Sequence, residues 1–273
     1  MSVDQSTPRP PVTARTASTS GGGLALRFVG MRAVLRREFR GYFASPLGYI
    51  FIVIFLIASG YLMVSRDFGR FLEMREANLD ALFSYMPWIF VVLVPAVAMR
   101  LWAEERRSGT VELLLTLPIT LEGSYLGKFL AGWAFLAVSV LLTWPAVFQV
   151  ARLGDPDWGA VFLSYVASLL AAAVLLAIGL LFSALSKNQV VAFILAVAAS
   201  VGFLLIGVPQ TQEFVGKWFG GYVERVVSSL SLLDHFETLT RGLLQLNSLL
   251  FFVLFTAGWL ICGMLVLSRT KTN

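Results

Sequence analysis

Apolar residues fall in six uncharged blocks, at about 46–64, 81–99, 129–150, 160–185, 190–208 and 248–267. Each is long enough to cross the hydrocarbon core of a bilayer as a helix, which takes about 20 residues. The pattern predicts an all-α integral membrane protein with six transmembrane helices in one domain over 45–270.

Ahead of the first block, Leu24, Phe28, Met31, Leu35, Phe39 and Tyr42 recur every three or four positions, and Arg27, Arg32, Arg36, Arg37 and Arg40 fill the other faces. That spacing predicts an amphipathic interfacial helix over 24–44. Ser45 and Pro46 then supply a capping hydroxyl and a pre-set first helical residue, so the chain turns there and enters the membrane. Residues 1–23 are rich in Ser, Thr, Pro and Gly, with little to bury, and are expected to form a disordered cytoplasmic tail. The first apolar run starts near 46 and is too long for the core of a secretory signal.

Within the blocks, Pro87 and Pro95 favour a bend in the second span. Ser164, Ser168 and Ala172, then Ala192, Ala196 and Ser200, place small residues at four-residue spacing, the signature of close helix packing. The short connection SKNQ at 186–189 implies an antiparallel hairpin. The longer segment 209–247 carries one apolar helical face from Val223 to Leu233 and another from Phe236 to Leu246. Two short helices on the outer leaflet are expected there.

Charge changes the picture only once it is sorted by side. With the amino terminus inside, the inner segments hold 14 Lys or Arg against 6 acids, and the outer segments 7 against 10. A net +8 inside against −3 outside, within a total of +5, is the positive-inside bias. Both termini are expected to be cytoplasmic, in an inner (cytoplasmic) membrane, and the basic balance implies membrane lipid and not nucleic acid. The single Cys262 has no second thiol to pair with.

Candidate chemistry mostly fails on its own terms. GSYLGKF at 123–129 has too few residues between its glycines for a phosphate-binding loop, and Phe129 follows the lysine where Ser or Thr is required. Lys128 is read instead as an anchor at the start of the third span. Asp234, His235 and Glu237 could ligate a metal or pass a proton, but no further partner is evident. No catalytic residue and no metal site are expected, so the chain is not expected to be an enzyme. The six blocks contain no Asp, Glu, Lys, Arg or His, which argues against an ion-coupled carrier and places the energy source on a separate partner.

One stretch stands apart, WAEERRSGTVELLLTLPITLEGSYLGK at 102–128. Ser108 and Gly109 interrupt the helical pattern, Thr110 can cap a new helix with Glu112 in its first turn, and Thr120 can cap the entry to the third span. The Arg-rich start, the span ending VPAVAMRLWAEERRSGTVELLLTLPIT and the LGK that follows resemble the permease subunits of ABC-2 type transporters. LSLLDHFETLTRGLLQLNS at 230–248 resembles the gliding-motility type within that group. The resemblance covers about residues 27–270. It implies a dimeric permease paired with two cytoplasmic ATP-binding subunits that hold the ATP and Mg, and with a periplasmic auxiliary subunit in the gliding-motility type; export is the expected direction. It also gives Glu104, Glu105, Arg106, Arg107, Gly109, Thr110 and Glu112 the role of coupling to the ATPase subunit, and Val111, Leu114 and Leu115 are expected to add an apolar ridge to that contact. The alternative is a membrane scaffold or motility component that moves no solute. The substrate and its binding residues are not legible.

Overall fold

The computed structural model describes residues 22–65, 79–109 and 120–270. Every regular element among them is helical. The expected tail falls almost wholly outside these residues. The chain runs through α1 (Gly22–Ala44), α2 (Pro46–Val64), α3 (Asp80–Phe83), α4 (Met86–Ser108), α5 (Leu121–Leu141) and α6 (Trp144–Leu153). It continues through α7 (Trp158–Leu185), α8 (Gln189–Leu205), α9 (Pro209–Phe219), α10 (Gly221–Ser229), α11 (Leu232–Thr240) and α12 (Leu246–Thr270).

Side-chain caps fix where several helices begin, by accepting hydrogen bonds from the otherwise unpaired N–H groups of a first turn. Ser45 Oγ accepts from Leu47 N with Pro46 following, so α1 ends and α2 starts within two residues. Thr120 Oγ1 accepts from Gly123 N, Asp157 Oδ1 from Gly159 N and Ala160 N, and Asn188 Oδ1 from Val190 N. The third span therefore starts as helix at Leu121, about two turns before the apolar block at 129.

Five stretches are long and apolar enough to span a bilayer: Pro46–Val64, Asp80–Ser108, Leu121–Leu153, Trp158–Leu185 and Leu246–Arg269. The fifth apolar block makes a shorter helix, α8, followed by α9 at a bend of 71°. Counted as one broken span, that pair brings the number to six. Pro209 begins α9, where its missing N–H costs nothing. The third span is also interrupted, at Leu142–Thr143 ahead of Pro145, and Thr143 Oγ1 meets both Val140 O and Tyr165 Oη there.

α7 is the centre. It packs against α4, α5, α8, α11 and α12, and Ala167, Ala171, Val174, Leu175 and Ile178 are fully buried. A helix that is apolar on all sides belongs in such a position. The small residues Ser168, Ala172, Ala192, Ala196 and Ser200 are fully buried too, which lets α7 and α8 approach their neighbours closely. α2 and α12 lie at the edge, with Ile57, Tyr61, Leu254 and Leu265 more than half exposed.

The segment between α8 and α12 holds three helices where the sequence suggested two. Ser231 Oγ accepts from Asp234 N and starts α11, which splits the apolar face read from Val223 to Leu233. α11 is no surface helix: Leu232, Phe236 and Leu239 are buried, and α11 packs against α7.

Candidate functional site: the charged end of α4

α4 does not stop where its apolar residues stop. It continues through Arg100 for two more turns and closes at Gly109, whose φ of 71° is left-handed backbone that glycine adopts without strain. The four charges of EERR thus ride on a rigid helix end. Glu104 and Arg107, three residues apart, are exposed; Glu105 and Arg106 turn inward. Arg106 donates to Ala184 O at the end of α7.

Glu105 belongs to a compact charge cluster. Its Oε1 lies 2.8 Å from Lys128 Nζ and 3.3 Å from Arg37 Nη2. Lys128 is 2% exposed, and its ammonium also donates to Leu101 O at 2.7 Å and to Glu38 Oε1 at 3.2 Å. Three donors meet three acceptors, the condition under which a buried lysine can stay charged. The ammonium also sits 5.0 Å from the centre of the Trp102 ring. Arg37 closes the circuit on Glu38 at 2.7 Å. Burial alone would raise the Glu38 carboxyl, but Lys128 and Arg37 outweigh it and hold the group below the usual range. The Glu38 hydrogen bond holds Arg37 above its ordinary value against the opposing effect of burial. Tyr42, one turn further along α1, is pushed up by burial.

The cluster joins three elements, because Arg37 and Glu38 lie on α1, Leu101 and Glu105 on α4, and Lys128 on α5. Gly127 permits the closeness of α1 and α5: a Cβ there would fall 2.9 Å from Met31 O and 3.0 Å from Val34 Cβ. A fourth element ties in through Ser183 of α7. Its hydroxyl accepts from Trp102 N and Ala103 N and donates to Met99 O, entering the hydrogen-bond ladder of α4 one turn before EERR.

The expected coupling residues therefore separate. Glu104, Arg107 and Gly109 are at the surface, Glu105 and Arg106 are structural ties, and Thr110, Val111, Glu112, Leu114 and Leu115 lie outside the described residues. Lys128 is no interfacial anchor but the centre of the cluster, and GSYLGKF is plain helix. Sequence reasoning passed over Arg37, Glu38 and Lys128 as partners. Glu38 is the sole acid of α1, a signal available to composition, since a lone acid among arginines on a packed helix calls for a defined partner.

The other candidate cluster resolves into local bonds. His235 bridges Ser248 Oγ at 3.0 Å and Ser229 O at 3.1 Å and stacks on Phe251. Asp234 accepts from Gln212, and Glu237 pairs with Arg241. These contacts tie α9 and α10 to α11 and α12, and no group of metal-binding side chains occurs among the described residues.

The described residues thus form an all-α, multi-pass membrane protein with a charged helix end behind its second span. The family described as ABC-2 family transporter protein matches residues 32–271. The chain belongs to that family: it is a membrane permease of the ABC class, a non-catalytic subunit of a kind that works with an ATP-binding partner. Comparison with curated proteins gives no match.

Proposed function

We propose that this chain is the transmembrane subunit of an exporter of the gliding-motility type. It lies in the inner membrane with both termini cytoplasmic and works as a dimer on two ATP-binding subunits, which carry ATP and Mg. The exposed end of α4 docks on the ATPase, and the apolar residues Val111, Leu114 and Leu115 that follow complete the contact. What supports this reading is the division of EERR: two charges are free at the surface, and two lock the same helix end to α1, α5 and α7. Displacement of that end by the ATPase then moves four elements together, as rigid-body switching requires. At the other end, exposed Phe214, Trp218 and Tyr222 on α9 and α10 offer an apolar surface for a periplasmic subunit.

The test is reconstitution of the permease with its cognate ATP-binding subunit in proteoliposomes. Co-purification, ATP turnover raised by the permease and ATP-dependent movement of solute out of the cytoplasmic side support the reading. Absence of any association between the two subunits would refute it. Stable association with ATP turnover but no solute movement would favour the scaffold alternative.

A further inference from the structure

A groove of about 190 Å³ runs between α2 and α4. Leu47, Ile50 and Ile54 form its α2 wall, each about half exposed, so it opens along the flank of α2. Leu93 and Val97 line the α4 side. The two helices place its polar end by register. Tyr42 precedes the start of α2 and Arg100 follows the last apolar turn of α4, whereas Ile54 and Leu93 lie about two turns, roughly 11 Å, deeper.

Arg100 is half-buried at that end, its guanidinium 5.3 Å from the centre of the Tyr42 ring, which holds it over the mouth of the groove. Arg100 forms no ion pair with a carboxylate among the described residues. Glu38 and Glu105, in the chamber beyond Tyr42, are already engaged by Lys128 and Arg37. Glu104 lies exposed one turn further from the membrane. Arg36 and Arg40 on α1 are exposed and add positive charge on the same side. The groove is thus apolar along its depth and cationic at one end.

We infer that this groove holds a phospholipid with an anionic headgroup, one acyl chain lying along Leu47, Ile54 and Leu93 and the phosphate meeting Arg100. The inference is independent of what the permease transports. A basic group at the membrane boundary attracts anionic lipid, and the adjoining apolar cleft retains it when bulk lipid exchanges.

The experiment is native mass spectrometry of the purified permease, equilibrated in micelles with equal phosphatidylglycerol and phosphatidylcholine and then stripped by detergent exchange. The wild type is expected to retain phosphatidylglycerol preferentially. Arg100→Gln should lower that preference about fivefold to tenfold, and Arg100→Lys should largely preserve it. Ala96→Phe, which fills the groove without touching the charge, should reduce retention of both lipids. Equal retention by the wild type, or an Arg100→Gln preference equal to wild type, overturns the inference. Ready homodimer cross-linking of Ile54→Cys in a Cys262→Ser background, with no lipid preference, would assign the groove to a second copy and overturn it as well.

Discussion

Lys128 Nζ lies 2.8 Å from Glu105 Oε1, although the two residues sit on different helices with the whole segment 110–119 between them. Glu105 therefore faces into the protein, while its neighbour Glu104 faces out. Charge at this helix end serves two separate purposes, and substitutions should divide accordingly.

Removing the ammonium leaves two carboxylates pointed at one small space. Lys128→Met should destabilise the permease by about 3 to 5 kcal/mol, the usual cost of breaking a buried pair. Thermal unfolding in detergent measures this. Adding Glu38→Gln and Glu105→Gln should restore much of the loss, since no unpaired buried charge then remains. A triple variant as unstable as the single one would show that the cluster does not act as a unit.

Reversal of exposed charge should behave differently. Glu104→Arg with Arg107→Glu is expected to leave the melting temperature within a degree or two, because isolated surface charges contribute about 1 kcal/mol or less. Recovery of the ATP-binding subunit on affinity purification should nevertheless fall several-fold. Glu105→Arg should fail earlier, at the stage of membrane insertion or detergent extraction, because it sets an arginine against Lys128 and Arg37. Equal ATPase recovery with the exposed pair reversed would remove these residues from the docking surface.

Acid should loosen α1. The Glu38 carboxyl is held below its ordinary value of 4.5, so its ion pairs contribute fully above that pH and are lost as pH falls through the lower folded-state value. Stability in detergent should decline in that acidic window, and Glu38→Gln should flatten the decline. A Glu38→Gln profile that overlays the wild type would exclude Glu38 as its source.

Gly127→Val should lift α1 away from α5, because backbone and not merely a side-chain tip occupies the space a branched side chain needs. Limited proteolysis at the arginines of α1 reads this directly: cleavage should accelerate while the spans remain intact. Unchanged cleavage would mean that α1 is held elsewhere.

Hydrophobic pattern located the long apolar helices α2, α4, α5, α7 and α12, and local chemistry located Ser45, Thr120 and Gly109 as boundaries, because both signals are contained within a few residues. Lys128 was misread for a related reason. Hydropathy marks where the bilayer begins, whereas Thr120 marks where the helix begins, and the interval between them is exposed to protein instead of lipid. Glu38 and Lys128 are 90 positions apart, and nothing in periodicity tells which distant helix a charged residue will face. The outer segment was miscounted because Ser231, a single capping residue inside an apolar run, outweighs the continuity of that run. The same segment's His235 carried a catalytic suggestion that its two hydrogen bonds and stacked ring account for structurally.

The central place of α7 bears on how the chain is assembled in time. α4 and α5, which cover part of its surface, precede it in the sequence; α8, α11 and α12, which cover the rest, follow it. A nascent chain that has just released α7 therefore leaves open the side that α8, α11 and α12 later cover, where Ser164 will meet Thr240 O. A ribosome stalled between α7 and α8 leaves that face open. Such a half-made permease is a natural target for membrane chaperones and proteases, and chains truncated there should have short lifetimes, even though every helix made so far is apolar enough to insert.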